Sequence, residues 1–450
     1  MASVVTRIPP SPTGRLHIGT ARTALFNYLF ARHHGGTIVF RSEDTDRSRS
    51  LKEYEDEILE GLAWLGLSWD TFSRQSEHAE RHRELLEKLV EEEKAYISKE
   101  PAQAEPEREV EVVRLKNPGR DVTFHDEVRG DITFHTGELG DFVIARAIDD
   151  PLYHFAVVVD DMDAGVTHVI RGEDHISNTS RQILIQEALG APRPMYVHLP
   201  LIVDASRAKL SKRNGATSLM DYRAEGFLPE ALVNYFALLG WSPGSNREDF
   251  SLTELVETFS LDGIQKGGAA WDREKLLSVN QRWMRKLSDE DFLACLDVRR
   301  PTSDVGRRTS HILREVVPML KERAQTFGEA RALLGGELAF LFTVPELTQA
   351  TLRVKEPIER PGLTKEALET LQEPIKGLPE GVSAEGAKDT LMPLADAEEA
   401  KGKGGRGAVL WPLRYALSGQ ERSPDPFTII SIIGRQESLA RIQKAIAILG

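Results

Sequence analysis

At the head of the chain a strand, a helix and a second strand succeed one another with short connections, and this order restricts the fold more than any other feature. Residues 4–8 form a short β-branched run. Residues 19–33 place Ala24, Leu25, Tyr28 and Leu29 at helical spacing, and Gly35-Gly36 closes them. Residues 37–41 give the next strand, and 52–65 and 77–94 give amphipathic helices. Such a series implies a parallel sheet.

Further along the pattern changes. Residues 98–108 are polar, with Pro101 and Pro106, and suggest a surface loop. Three β-rich pieces follow at 109–115, 122–125 and 132–135. Residues 153–159 and 168–171 look like buried strands returning to the sheet, 178–189 like a helix and 196–203 like another strand. After Asp204 the chain turns mainly helical. Residues 229–239 form an apolar helix closed by Gly240, and 252–259 and 272–284 are further helices. Residues 307–327 and 329–341, separated by Gly328, suggest a helical domain. Residues 395–407, with Lys401-Gly402-Lys403-Gly404-Gly405, suggest a flexible connector.

The 450 residues suffice for two or three domains. No run of about 18 apolar residues is present, so no membrane span is expected. The start lacks a signal-peptide core. The single cysteine, Cys295, can form neither an internal disulfide nor a thiolate metal cage, and a reducing cytoplasm is the expected compartment. The net charge is −13, from 57 basic and 70 acidic residues, which argues weakly against a nucleic-acid partner. A local basic face matters more than the average. Between 299 and 323 there are seven Lys or Arg against three acids, as in either a solvated helix surface or a phosphate-facing patch.

Two segments carry chemistry. Pro10-Ser11-Pro12-Thr13-Gly14-Arg15-Leu16-His17-Ile18-Gly19-Thr20 lies between the first strand and the first helix, where a doubly wound sheet holds a nucleotide. A helix N-terminus offers free N–H groups to phosphate. Gly14 and Gly19 allow close approach to the backbone, and His17 can donate to phosphate oxygens as charge builds on them. Alone, a His-x-Gly is as well explained by a structural turn. The second segment is Ala208-Lys209-Leu210-Ser211-Lys212-Arg213-Asn214-Gly215. A basic loop of this kind suits a triphosphate, with Lys209 and Lys212 neutralising charge as pyrophosphate leaves. Alone, it would be an exposed basic turn.

Together these segments resemble the signatures of class I aminoacyl-tRNA synthetases, and longer strings narrow the resemblance to the glutamyl-tRNA synthetase family. Those strings include Thr6-Arg7-Ile8-Pro9-Pro10-Ser11-Pro12-Thr13-Gly14, Arg41-Ser42-Glu43-Asp44-Thr45-Asp46 and Gly165-Val166-Thr167-His168-Val169-Ile170-Arg171-Gly172-Glu173-Asp174. The likeness is nearly continuous from residue 4 to about 284 and fainter beyond, where Leu410-Trp411-Pro412-Leu413-Arg414 looks like a C-terminal family motif. It implies an α/β fold. A Rossmann-like doubly wound parallel sheet would form the catalytic domain over 1–205, with a shortened acceptor-binding insertion at 96–148. A connecting stem-contact region carrying the basic loop would span 206–286, and a mainly α-helical anticodon-binding region 287–450.

The resemblance also implies a site. Arg7 and Arg171 match the arginines that hold the glutamate carboxylates, a role suited to the planar guanidinium. Ser11, Glu43 and Tyr153 match substrate positions, with Glu43 accepting from the α-ammonium group. His17, Gly19, Thr20, Lys209, Leu210, Ser211, Lys212 and Arg213 match the ATP site, with His17, Lys209 and Lys212 as charge stabilisers. Lys321 and Arg323 fall near an expected base-reading helix, though a plain surface helix accounts for them equally well. In the first half, Asp46 or Ser50 could cap the helix at 52–65, and Arg171 could pair at the surface with Glu173 or Asp174.

Three departures from the family stand out. Thr20 replaces a histidine common in class I, as is usual in this family. Val157 stands where a relative has an asparagine near the substrate. The segment between Tyr96 and Val112 is short and free of cysteine, so no structural zinc is expected, because a tetrahedral site needs about four Cys or His ligands. The implied activity is ATP-dependent ligation of L-glutamate to tRNA(Glu) through a glutamyl-adenylate, with Mg2+ accompanying ATP and the protein acting as a monomer. Charging of tRNA(Gln) as well, or a glutaminyl-specific enzyme, stays open. A tRNA-modifying relative is disfavoured by the long C-terminal part, and a non-catalytic tRNA-binding paralogue by the intact His17, Lys209 and Lys212.

Overall fold

A computed structural model describes residues 3–46, 48–101, 107, 109–210, 218–297, 304–353, 355–356, 361–400 and 405–450, without the side chains of 304–308, 398 and 400. It divides into two compact units, Met1–Asn280 and Gln281–Gly450.

The first unit begins with β1 (Val5–Ile8), α1 (Ile18–His33), β2 (Thr37–Ser42), α2 (Lys52–Trp64), β3 (Thr71–Arg74) and α3 (Ala79–Glu91). The three strands pair in parallel, as crossover helices dictate. α1 is buried over most of its length, including Ala21, Ala24, Leu25 and Leu29. Just beyond it Gly35 turns the chain at φ 62°, a conformation glycine adopts without steric cost. The N-cap of α2 is Leu51, with no side-chain cap, so neither Asp46 nor Ser50 has the capping role the sequence suggested. Asp46 instead accepts from Ser48 and Arg49.

Next come β4 (Ala95–Pro101), β5 (Glu109–Leu115), β6 (Asp121–Asp126), β7 (Gly130–His135), β8 (Phe142–Ala147) and β9 (Asp150–Pro151). The expected loop at 98–108 is therefore strand at its start. β4 pairs with β5 from Ala95↔Leu115 to Pro101↔Glu109. It is the edge of the β4-β5-β8-β9 sheet, with Ile97, Lys99 and Pro101 exposed, and at an edge Pro101 costs no ladder bond. Residues 102–106 and 108 lie outside the described residues.

α4 (Tyr153–Asp163) occupies the place of the expected strand at 153–159. Val157-Val158-Val159 favours a strand locally, but Phe155 through Asp161 are buried without a break. A short apolar run hides its period, and packing decides between buried helix and buried strand. Phe155, Val158 and Val159 join one core with Leu85, Leu86 and Leu89 of α3.

β10 (His168–Gly172), α5 (Ile176–Leu189) and β11 (Met195–Leu199) complete the frame. The strand expected at 196–203 is two: β11 ends before Pro200, and β12 (Ile202–Val203) pairs elsewhere. β10 and β11 are parallel, in a sheet ordered β10-β11-β6-β7. Val5 N–H donates to Thr167 Oγ1 at 2.8 Å, and Thr167 N–H to Val5 O at 3.0 Å, which sets β10 beside β1. The order is then β3-β2-β1-β10-β11, and the progress of the chain across the sheet reverses between β1 and β10. Clefts in open α/β sheets form at such points, beyond the strand ends.

α6 (Leu219–Glu225), α7 (Pro229–Leu238), α8 (Leu252–Thr258), β13 (Ala269–Ala270), which pairs with β12, and α9 (Arg273–Lys286) follow. The division between the units falls inside α9.

The second unit is helical: α10 (Asp289–Leu296), α11 (Asp304–Arg323), α12 (Phe327–Gly335), α13 (Gln349–Leu352), α14 (Leu363–Lys376), α15 (Ala384–Ala400), α16 (Gly407–Ser418), α17 (Pro426–Ile433) and α18 (Arg435–Leu449). Gly328 does not separate helices. The break comes earlier, where Thr326 caps α12 by accepting from Glu329 N–H at 3.2 Å. The first part of the expected connector at 395–407 is helix, since α15 continues to Ala400 with Leu391 and Ala395 buried. Residues 401–404 lie outside the described residues. No helix among the described residues is long and apolar enough to cross a membrane.

Candidate active site

A cleft of about 570 Å³ lies beyond the ends of β1 and β10. It brings together Arg7, Ser11, His17, Gly19, Thr20 and Glu43 with Tyr153, Arg171, Lys209 and Leu210. Ser211, Lys212 and Arg213 lie outside the described residues. Lys321 and Arg323 belong to the second unit and are engaged there. Lys321 Nζ donates to Leu287 O and Asp289 Oδ1, both at 2.7 Å, and Arg323 pairs with Glu337 at 2.5 Å.

One end of the cleft is a helix start. His17 is the N-cap residue of α1, with extended backbone and its own carbonyl accepting from Ala21 N–H at 3.1 Å. The first turn contains no acid, so no carboxylate there offsets the positive end of the helix dipole. His17 Nε2 lies 3.3 Å from Thr20 Oγ1. Gly19 leaves room for the ring: a Cβ there would sit 3.2 Å from His17 Cε1 and Nδ1, closer than most packed side chains approach. Opposite, Lys209 Nζ pairs with Asp174 Oδ2 at 2.6 Å, with Lys209 mostly exposed and Asp174 partly so. A triphosphate placed here would meet backbone N–H groups, an imidazole and an ammonium.

The other end is buried and charged. Arg7 leaves β1 and donates to Ile170 O at 3.1 Å and to Asp161 Oδ2 at 3.3 Å. Arg41, near the end of β2, pairs with Asp161 Oδ1 at 2.8 Å and with Glu43 Oε1 at 3.1 Å. Asp161 from α4 thus ties two strands together through their arginines. Burial raises the Glu43 carboxyl above its usual range against the opposing pull of Arg41. The three nearby carboxylates hold the Arg41 guanidinium firmly protonated despite its burial.

Arg171 differs from both. It is 6% exposed, so the surface ion pair suggested by Glu173 and Asp174 is absent. Glu173 pairs with Arg129 and Asp174 with Lys209. Arg171 donates to Gln182 Oε1 and Thr179 Oγ1, each at 2.8 Å, and to His198 Nε2 at 3.1 Å. Among the described residues no carboxylate pairs with it. A buried cation held by neutral acceptors is costly unless an anion arrives. Val157 also lines the cleft, and its side chain offers no polar atom there. Thr179, Gln182 and His198 could not be picked out from the sequence, because none stands in a motif and all act through Arg171.

In the same unit His78, His82 and Asp160 converge with ligand chemistry, and among the described residues they form the candidate metal cluster. His78 Nδ1 and His82 Nε2 both approach Asp160 Oδ1, at 2.9 and 2.7 Å, and Gln75 donates to Oδ2 at 2.7 Å. Hydrogen bonding already satisfies that carboxylate, and the group ties α3 to α4.

The chain resembles known proteins over nearly its whole length. A family model for the catalytic domain of class I tRNA synthetases (E and Q) matches residues 3–111 and 98–278, and an anticodon-binding domain model matches 283–446. The chain is 41% identical to glutamate–tRNA ligase 1 of Mesorhizobium japonicum, over 98% of each chain. It is 38% identical to glutamate–tRNA ligase 1 of Syntrophus aciditrophicus, over 99% of this chain and 98% of that one. A solved glutamate tRNA ligase from Elizabethkingia meningosepticum, in complex with its amino acid, superposes with TM-score 0.84 at 30% identity, covering both chains in full.

Proposed function

This chain belongs to the class I tRNA synthetases of the glutamate and glutamine group, and we propose that the cleft described above is where it activates glutamate. The protein ligates L-glutamate to tRNA, as its full-length relatives are named for doing. The site assignment is carried by one observation. Arg171 is a buried guanidinium with neutral partners, beside Arg7 and in the same cleft as the start of α1.

In this reading Arg7 and Arg171 take the glutamate carboxylates, and Glu43 accepts from the α-ammonium group. Ser11 and Tyr153 border the amino acid. ATP lies with its phosphates toward His17, Gly19 and Thr20, and Lys209, Leu210, Ser211, Lys212 and Arg213 of the basic segment take part in binding it. An oxygen of the glutamate α-carboxylate attacks the α-phosphorus, and the bond to pyrophosphate breaks. A terminal ribose hydroxyl of tRNA then attacks the glutamyl carbonyl carbon, and AMP leaves. The protein supplies position and charge, with no covalent intermediate on a side chain. His17, Lys209 and Lys212 stabilise charge on the phosphates. Mg2+ accompanying ATP would be held chiefly by the phosphate oxygens and would neutralise part of their charge, since the cleft carboxylates Glu43 and Asp174 are engaged by Arg41 and Lys209. The acceptor is tRNA(Glu), bound by a monomer. A contact of Lys321 or Arg323 with the anticodon would require their ion pairs to open.

Two assays test this together. Purified tRNA(Glu) and tRNA(Gln) are each offered with radiolabelled glutamate and ATP. The expected result is charging of tRNA(Glu), and charging of neither would overturn the reading. The variant His17→Ala should lower adenylate formation by about 100-fold or more, the loss typical of a single charge-stabilising donor. A near wild-type rate would remove His17 from the mechanism.

A further inference from the structure

Behind Arg171 lies a buried pair that the proposed reaction does not use. His198 of β11 stands opposite Arg171 of β10 in the parallel register, and Asp126 ends β6 on the far side of β11. Both side chains are fully buried. Asp126 Oδ2 lies 2.6 Å from His198 Nδ1 and accepts from the His198 backbone N–H at 3.1 Å. Its Oδ1 accepts from the backbone N–H groups of Val128 and Arg129, at 3.1 and 2.8 Å. The three backbone N–H groups can only donate, so Asp126 acts as their acceptor on both oxygens, which is the behaviour of a carboxylate. Burial alone would raise the Asp126 carboxyl, but these donors outweigh it and hold it below its usual range.

An ionised Asp126 keeps the His198 proton on Nδ1 and leaves a lone pair on Nε2. That lone pair receives Arg171 Nε–H at 3.1 Å. The other tautomer, or the doubly protonated ring, would aim N–H at N–H. Burial keeps the ring neutral, lowering its pKa more than Asp126 raises it. The neighbouring arginines are held otherwise. Arg7 and Arg41 are gripped by Asp161 directly, which offsets their charge. Arg171 is gripped through an imidazole, one hydrogen bond removed from the carboxylate.

We propose that Asp126 and His198 are positioning residues for the amino acid: they fix the imidazole tautomer that orients Arg171 through neutral acceptors, so that its charge is left for a substrate carboxylate. The proposal rests on the assignment of Arg171 to glutamate.

The test measures KM for glutamate and for ATP, with kcat, in the full-length enzyme with its tRNA. Four variants are compared. Asp126→Asn keeps the shape but frees the tautomer. His198→Leu removes the acceptor, His198→Gln retains an acceptor oxygen, and Arg171→Ala tests the underlying assignment. Asp126→Asn and His198→Leu should raise the glutamate KM on the order of tenfold or more, the scale of a lost hydrogen bond to a charged group. The ATP KM should stay within about twofold, and His198→Gln should recover most of the loss. Equal rises in both KM values, no rise in the glutamate KM, or no rescue by glutamine would overturn the proposal. So would a failure of the Asp126 and His198 variants to fold, which would make the pair core structure. If Arg171→Ala leaves the glutamate KM unchanged, the assignment of Arg171 falls and the proposal with it. If Arg171→Ala raises it while Asp126→Asn and His198→Leu do not, only the positioning pair falls.

Discussion

At one end of the cleft Arg7, Arg41 and Arg171 are between 1% and 6% exposed, each fixed by two or more partners. At the other end Lys209 has a side chain 59% exposed and meets Asp174, itself 38% exposed. The two ends have different tasks in the proposed reaction. Choosing an amino acid needs geometry set before the ligand arrives, and buried guanidiniums supply it because their angles cannot relax. Neutralising a departing pyrophosphate needs charge that can be released from one partner and given to another. A solvated ion pair suits that, since little is lost when it opens. Stability and function are therefore coupled at the first end and nearly independent at the second.

The largest test of that contrast is Asp161→Ala. It removes the one carboxylate paired with buried Arg7 among the described residues, and one of the three around Arg41. Loss of one partner from a buried pair costs about 3–5 kcal/mol, which denaturant unfolding of the first unit would show as a lowered midpoint. Glutamate binding should fall with it. A loss below about 1 kcal/mol would place Asp161 among the solvated pairs and erase the difference between the ends.

That carboxylate also marks how much could be read from the sequence. The outer frame was legible, since β1, α1, β2, α2, β10 and α5 lie within a few residues of the positions their apolar spacing suggests. The ten described residues expected at the cleft do meet there, and all but Tyr153 sit in strings whose residue types are tied to phosphate and carboxylate chemistry. What supports them was not legible. Asp161 sits on α4, where consecutive valines pointed to a strand, and only three-dimensional packing makes the segment a helix. In a strand Asp160 and Asp161 would face opposite ways; on α4 both reach Arg41, at 3.5 and 2.8 Å. Thr179, Gln182, His198 and Asp126 are ordinary residues until their neighbours across the sheet are known. The edge strand β4 was hidden for the opposite reason, because half its residues face water and look like loop.

Acid should sharpen the contrast at intermediate size. His154 and His175 lie at the buried end near Arg171, and burial lowers both to about 4, with Arg171 and other cations adding to the effect. In the unfolded chain each would titrate at the ordinary value of about 6.5. Between these values the unfolded state binds more protons, so stability falls as pH drops from about 6.5 toward about 4 and then levels off for these two groups. With partial solvent screening each contributes about 1–2 kcal/mol over that window. His175→Gln should flatten part of this slope in thermal unfolding measured across the pH range. An unchanged slope would assign the acid sensitivity to other groups.

The smallest effect belongs to the exposed end and is the most exacting check on the comparison. A double-mutant cycle on Lys209 and Asp174 should give a coupling in stability below about 1 kcal/mol, shrinking further as salt is added. The same cycle on Arg7 and Asp161 should give several times more and respond little to salt, because ions do not enter a pair only 2% and 11% exposed. The single variant Asp174→Ala should leave the fold intact and free Lys209 to face ATP without a competitor. If the exposed pair instead coupled as strongly as the buried one, Lys209 would be a structural tether. Its release toward pyrophosphate would then cost as much as it stabilises, and the division of the cleft into a fixed end and an exchangeable end would fail.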